Sequence, residues 1–110
     1  MTRTVEEVGA VFVALADPTR RLLLERLGAH GEATATTLAA ELPVSRQAVV
    51  KHLGVLDHAG LVTGRRRGKE MRYAVRSDRL TATAGWLTAL ATEWDRRLSA
   101  IRRLAETGPA

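Results

Sequence analysis

Four side chains following Ser45 have the types and spacing needed to contact the edges of DNA base pairs. Ser45 is a good helix N-cap, and on one face of the helix that it would start lie Arg46, Gln47, Val50 and Lys51. A guanidinium or a carboxamide near a helix N-terminus can pair with two atoms of a base, and a valine can contact a thymine methyl group. The segment predicts a helix that reads DNA sequence, or alternatively an amphipathic helix whose polar face only meets solvent.

The opposite face of the same helix carries the pattern of a buried surface. Val49, His52, Leu53 and Leu56 follow the i, i+3, i+4, i+7 spacing of one helix face. Gly60 then stands where a left-handed residue is needed to end the helix.

Basic residues dominate the segment that comes next. Residues 46–76 contain eight basic and two acidic side chains, a local net charge of +6, whereas the whole chain carries +5. Such a confined cationic patch favours phosphate binding, because each neutralised phosphate releases counterions. The cations predicted to contact DNA in this segment are Arg65, Arg66, Arg67, Lys69 and Arg72.

Alternation of residue types from Leu61 to Arg76 predicts a two-stranded hairpin that follows the helix. Arg65 to Lys69 would form its turn, and Met71, Tyr73 and Val75 would share one face. Beside a helix-turn-helix, such a hairpin is a wing whose arginines can follow phosphates or enter a narrow minor groove. The alternative is a solvated hairpin whose charged tip blocks edge pairing.

Size and composition indicate one globular domain spanning residues 1–110. Hydrophobic residues make up 45% of the chain and charged residues 26%, and cysteine is absent, which excludes disulfides and thiolate metal sites. The longest apolar run is far shorter than the roughly 20 residues that span a bilayer, so we expect no membrane association and a cytoplasmic protein.

Periodicity and capping signals divide the domain into ordered elements. A first helix is predicted over residues 4–16, and a second starts at Asp17-Pro18 and ends at Gly28 or Gly31. Arg20 and Arg21 are predicted to form surface ion pairs or to be solvated charges, with a phosphate contact by one of them as the alternative. The remaining elements are a short strand at 32–34, a helix-turn-helix at 35–60 with Thr34 or Thr36 as its first cap, the wing at 61–76, and a helical region at 78–106 that Gly85 could interrupt.

The last helical region has an apolar stripe that a small domain has no remaining core to cover. Together with apolar residues of the first helix, it predicts a homodimer interface, the alternative being packing within one subunit. The residues predicted for this interface are Val8, Val11, Phe12, Leu87, Leu90, Trp94, Leu98, Ile101 and Leu104.

Groups for catalysis or for binding a cofactor or metal do not stand out in the sequence. His30, His52 and His58 lack the helical spacing of paired ligands, so each reads as structural or surface. No nucleophile with a base and no phosphate-cradling glycine loop is recognised. We therefore expect neither an enzyme nor a bound cofactor.

Three segments resemble the ArsR-type (arsenical-resistance repressor) family of bacterial winged helix-turn-helix regulators. They are ALADPTRRLLLERL, LAAELPVSRQAVVKHLGVLDHAGLV and GRRRGKEMRYAV, within about residues 10–76. The resemblance implies a mainly α fold with a small β-hairpin wing and a homodimer formed through the terminal helices. It also implies a repressor that binds a palindromic DNA operator and is released by an inducer, either a small molecule or a protein.

The chain departs from the family pattern at positions where other members bind metals or contact bases. Metal-sensing members have cysteines where this chain has Pro43-Val44-Ser45, and others use histidines of the last helix, where this chain has none after His58. The resemblance is therefore to a branch that does not sense metals. Val50 replaces a serine frequent in the family, so a polar base contact does not carry over to that position. The competing hypothesis is a winged-helix module that binds protein. A local net charge of +6 argues against it, because binding protein does not require such a charge.

Overall fold

Five helices and three strands make up the part of the chain that the computed structural model describes, residues 2–107, with side chains from residue 5. In chain order the elements are α1 (Thr2–Leu15), α2 (Pro18–His30), β1 (Ala33–Thr34), α3 (Ala35–Ala40), α4 (Arg46–His58), β2 (Val62–Arg67), β3 (Glu70–Val75) and α5 (Asp78–Glu106). The predicted mainly α fold with a small wing is confirmed. None of the described helices is long and apolar enough to cross a bilayer.

Side-chain caps start three of these helices. Asp17 Oδ1 accepts hydrogen bonds from the backbone N–H of Thr19 (2.7 Å) and of Arg20 (3.2 Å) at the start of α2. Thr34 caps α3, and Ser45 Oγ accepts from the N–H of Ala48 (3.1 Å) at the start of α4. Each cap satisfies an N–H group that has no partner within its own helix. The predicted caps at Asp17, Thr34 and Ser45 are confirmed.

The wing differs from its prediction in two respects. It is part of a three-stranded antiparallel sheet of order β1-β3-β2, because β1 pairs with β3 through Ala33 and Tyr73. Its turn comprises only Gly68 and Lys69, whereas a turn from Arg65 to Lys69 was predicted. Gly68 has φ +61°, the conformation that two-residue hairpin turns require, so both strands continue to the turn.

Leucines from the three middle helices form the centre of the core. Leu23 and Leu27 of α2, Leu38 of α3, and Leu53 and Leu56 of α4 are completely buried. Burying each such side chain contributes about 1.5–3 kcal/mol. The core therefore fixes the inner face of α4, and the outer face of this helix stays exposed to solvent.

The end of α4 is tied to the beginning of α5. Gly60 has φ +78°, and a side chain there would lie 2.6 Å from Arg79 Cδ. Arg79 Nη1 in turn donates to the carbonyl of Ala59 (3.1 Å), which satisfies one of the free carbonyls at the end of α4. The left-handed glycine predicted at position 60 is confirmed, and it also makes room for Arg79.

Helix α5 extends far beyond the rest of the domain. The molecule measures 75 × 30 × 20 Å with a radius of gyration of 19.7 Å, against about 13 Å for a compact chain of 100 residues. The helix continues through Gly85, so the predicted interruption is wrong. Leu80 and Thr83 pack against the body, whereas every residue from 84 to 107 is exposed.

Candidate nucleic-acid interface

The outer face of α4 is presented to solvent as the sequence predicted. Arg46, Gln47, Val50 and Lys51 are exposed, while Val49 on the inner face is completely buried. Ser45 lies at the start of the helix, where its hydroxyl is engaged in the cap. The cap uses Ser45 Oγ as an acceptor and leaves its O–H able to donate, so DNA contacts by Ser45, Arg46, Gln47, Val50 and Lys51 stay predictions.

Arg46 has a partner that the sequence did not indicate. Its Nε donates a hydrogen bond to Thr36 Oγ1 of α3 (3.1 Å), across the turn of the helix-turn-helix. This bond uses Nε and leaves the two terminal nitrogens for an incoming acceptor. Thr36 thus restrains the direction of a long side chain that would otherwise lose much conformational entropy on binding.

Strand register divides the three consecutive arginines between the two faces of the wing. Arg66 lies opposite Met71, on the face that also carries Gly64 and Tyr73. Arg65 and Arg67 lie on the other face, because successive side chains of a strand point in opposite directions.

The Arg66 face and α4 enclose one groove. Its volume is about 620 Å³, and it is open to solvent. Arg46 and Val50 line it from α4, Arg66 and Lys69 line it from the wing, and Thr36 lies on the α3 side. The structure therefore brings the predicted reading helix and two of the predicted wing cations together at one concave surface.

Arg72 does not fit the role predicted for it. Its Nη1 lies 3.5 Å from Glu32 Oε1, and its Nε lies 3.4 Å from Glu70 Oε2. Two carboxylates thus neutralise this guanidinium on the face of the sheet that Arg65 and Arg67 share. Glu32 comes from the segment just before β1, so only the tertiary fold places it there. We exclude Arg72 from the candidate interface.

The other wing cations remain available for phosphates. Among residues 2–107, no ion pair involves the remaining cations of the hairpin, which are Arg65, Arg66, Arg67 and Lys69. All four are exposed. Unpaired, solvated cations can contact phosphates without first breaking an existing contact.

Arg20 and Arg21 hold the end of α1. Arg20 donates from Nε to the carbonyl of Ala14 (2.7 Å) and from Nη2 to that of Val13 (3.1 Å), and Arg21 Nη1 donates to that of Leu15 (2.6 Å). Cations favour the negative end of a helix dipole. Arg20 also lies 3.8 Å from Asp17 Oδ2, so the predicted pairing occurs for this residue, and the contacts of both arginines with α1 are an addition that the sequence did not indicate.

The three histidines have different surroundings in the structure. His30 Nε2 lies 2.6 Å from Glu41 Oε2 and links α2 to the end of α3, His52 contacts Arg20, and His58 is exposed. Within residues 2–107, no group of three histidine or carboxylate side chains converges as metal ligands would.

The structure corrects the part of the predicted dimer surface that lies on α1. Val8 and Val11 are buried inside the subunit, because α1 also packs against the core, whereas Val5 and Val13 are 67% and 66% exposed. Phe12 is partly exposed and makes an edge-to-face contact with Trp86 of α5, with ring centroids 5.8 Å apart. All the residues predicted on α5 are exposed, and their exposed fractions range from 41% to 73%.

The fold and the site define a winged helix-turn-helix protein, and comparison with known proteins agrees. The family model described as a helix-turn-helix domain matches residues 15–65. A solved ArsR-like transcriptional regulator from Rhodococcus sp. RHA1 is 43% identical, with a TM-score of 0.90 and 99% of each chain covered.

Two curated relatives are also similar over most of their length. The HTH-type transcriptional regulator Rv2034 of Mycobacterium tuberculosis is 43% identical over 94 residues, which cover 86% of this chain and 84% of the relative. The transcriptional repressor SdpR of Bacillus subtilis is 30% identical over 88 residues, covering 80% and 97%. The chain belongs to the ArsR-type family and is a DNA-binding transcriptional regulator, not an enzyme.

Proposed function

We propose that this protein is a homodimeric repressor that binds a palindromic operator and acts in the cytoplasm. The groove shared by α4 and the wing supports the proposal, because side chains suited to base edges, Arg46 and Val50, and cations suited to phosphates, Arg66 and Lys69, line the same surface. Arg46, Gln47, Val50 and Lys51 would contact base edges, and the wing cations would contact phosphates or the minor groove.

The exposed stripe of α5 supports the homodimer. A helix that leaves two tryptophans, three leucines and an isoleucine half-exposed between residues 86 and 101 would be a liability in a monomer. A second copy presents the same stripe and can cover it by two-fold symmetry. We propose Val5, Phe12 and Val13 of α1 as the neighbouring part of this interface.

Two-fold symmetry dictates the form of the operator. Two α4 helices related by the dimer axis reach major grooves on one side of the duplex. The half-sites should therefore be inverted repeats spaced by about one turn, roughly 10 base pairs, or a multiple of it.

The inducer should not be a soft metal. One relative, the probable mercury resistance operon repressor of Streptomyces lividans, is 34% identical over 97 residues. This chain has no cysteine with which to bind mercury, arsenite or cadmium as a thiolate, so we propose a small molecule or a protein as inducer. Adding these metals, or zinc, to the operator complex should leave its affinity unchanged. Stoichiometric metal binding accompanied by release of DNA would contradict this proposal.

Selection of bound sequences from a random DNA pool tests the function directly. We expect enrichment of an inverted repeat and an affinity that falls steeply as salt increases. A winged helix that binds protein instead would enrich no sequence and would show only weak, salt-sensitive DNA binding. That outcome would replace the proposed function.

A further inference from the structure

The side chain of Arg20 connects α1 to α4, two helices to which we assign different functions. Its Nε and Nη2 donate to the carbonyls of Ala14 and Val13 in the last turn of α1. Its remaining nitrogen, Nη1, lies 3.3 Å from Nδ1 of His52, on the side of α4 that faces the body. One guanidinium therefore spans from the proposed dimer interface to the proposed reading helix.

Low exposure of Arg20 and the donor-only chemistry of its guanidinium define the contact between Arg20 and His52. The Arg20 side chain is only 15% exposed, and Asp17 Oδ2 lies 3.8 Å from Nη1. A guanidinium has donors only, so in this hydrogen bond His52 Nδ1 is the acceptor. A partly buried hydrogen bond from a charged donor restrains its partner more strongly than a solvated one.

We propose that Arg20 is a positioning residue that, through His52, sets the orientation of α4 relative to the dimer axis. This inference rests on the proposed dimeric function and adds the means by which half-site spacing is selected. Val13, whose carbonyl Arg20 holds, is exposed on α1 at the proposed interface. A tilt of α4 relative to α1 would move the two reading helices of a dimer in opposite directions.

Spacing is the property that such a contact would control. A dimer gains affinity over a monomer only when both α4 helices reach their half-sites at once. If α4 is held firmly, one spacing is bound far better than its neighbours. If α4 is loosened, several spacings are bound about equally, while contact with a single half-site is unchanged.

Arg21 provides a matched control within the chain. Like Arg20 it donates to a carbonyl at the end of α1, that of Leu15, but it is more exposed. Within residues 5–107, no hydrogen bond or ion pair joins Arg21 to α4. Arg21→Met therefore removes a cation and an α1 cap without touching the proposed link.

The test compares variants on three kinds of DNA: the selected operator, operators with one base pair inserted or deleted between the half-sites, and a single half-site. His52→Leu removes only the acceptor and leaves Arg20 on α1. We expect it to reduce the preference for the native spacing roughly fivefold or more, within the usual range of coupling between sites. Single half-site affinity should stay as in the wild type.

Three further variants complete the comparison. Arg20→Met should act like His52→Leu, and Arg21→Met should keep the wild-type spacing preference. His52→Asn, which places an amide oxygen near the position of Nδ1, should restore much of the preference. Unfolding in urea identifies loss due to instability alone, which would lower affinity for all DNAs alike.

A His52→Leu protein that folds and keeps the wild-type spacing preference would overturn the inference. So would equal losses on the single half-site and the operator. A wild-type protein without any spacing preference would instead contradict the proposed dimeric function, so the two failures are distinguishable.

Discussion

Gln47 and Arg46 are adjacent on α4 but differ in how strongly the protein restrains them. Arg46 is held by Thr36, whereas the Gln47 side chain makes no hydrogen bond within residues 5–107. Both are exposed, and Arg46 also lines the groove. An arginine held at Nε can still pair end-on with guanine, and a glutamine is suited to adenine.

Replacing either residue by alanine should therefore change sequence preference. We expect Gln47→Ala and Arg46→Ala to cost about 1–3 kcal/mol on the operator and little on random DNA. Competition binding with operators substituted at single base pairs measures the effect. Equal losses on operator and random DNA would mean that α4 positions the protein without reading sequence.

Arg66 and Arg72 lie on opposite faces of the wing, and we expect only the loss of Arg66 to weaken DNA binding. Arg66→Ala should weaken binding to operator and random DNA alike and lower the slope of log affinity against log salt by about one. Arg72→Ala serves as the control, because Glu32 and Glu70 already neutralise Arg72, and it should leave the slope unchanged. Salt titrations of both variants measure this. A loss for Arg72→Ala as large as that for Arg66→Ala would contradict the assignment by strand face.

At the scale of elements, the N-cap of α2 makes stability depend on pH. Burial acts to raise the pKa of Asp17, but the N–H groups of Arg20 and Thr19 and the charge of Arg20 outweigh it, so the pKa lies below its usual 3.8. A depressed carboxyl pKa stabilises the fold above the pKa of the unfolded chain. That stability is lost as the pH falls through the lower, folded-state pKa.

Asp17→Asn isolates this contribution, because asparagine still caps the helix but does not titrate. The wild type should be more stable than Asp17→Asn near neutral pH, and the difference should shrink below about pH 4. Urea unfolding of both proteins across this range measures it. A difference that stays constant down to about pH 3 would show that the charge of Asp17 does not stabilise α2.

At the scale of the whole molecule, the long exposed part of α5 leads to a prediction about association. Every residue of this helix from 84 onward is exposed, so the proposed association with a second copy would stabilise it. The double variant Leu98→Glu, Ile101→Glu places two charges in the apolar stripe. We expect monomers, and weak operator binding because avidity is lost.

Sedimentation at several concentrations measures this effect. Thr92→Glu, Ser99→Glu is the matched control, because at 100° per residue both positions lie on the opposite side of α5. The control should remain dimeric and bind the operator. A Leu98→Glu, Ile101→Glu protein that still sediments as a dimer would move the interface away from this stripe.

Local features were the ones that the sequence by itself determined. The caps at Asp17 and Ser45, the buried face of α4 through Leu53 and the glycine at position 60 all follow from residues within a turn of one another. Hydrogen bonding at a helix end and the 3.6-residue period depend only on such neighbours, which is why sequence patterns predict them.

Tertiary structure alone decided which side chains meet across the chain. The register between β2 and β3 places Arg66 on the face that lines the groove. The pairing of β1 with β3 places Glu32 next to Arg72. Packing of α1 against the core buried Val8 and Val11, and Arg20 reached His52, 32 residues away in sequence. These contacts depend on how elements dock, and no local pattern specifies the partner of a long cation. Contacts within the chain therefore engage Arg72 of the predicted DNA-binding set and Val8 and Val11 of the predicted dimer set, and the remaining members of both sets stay predictions.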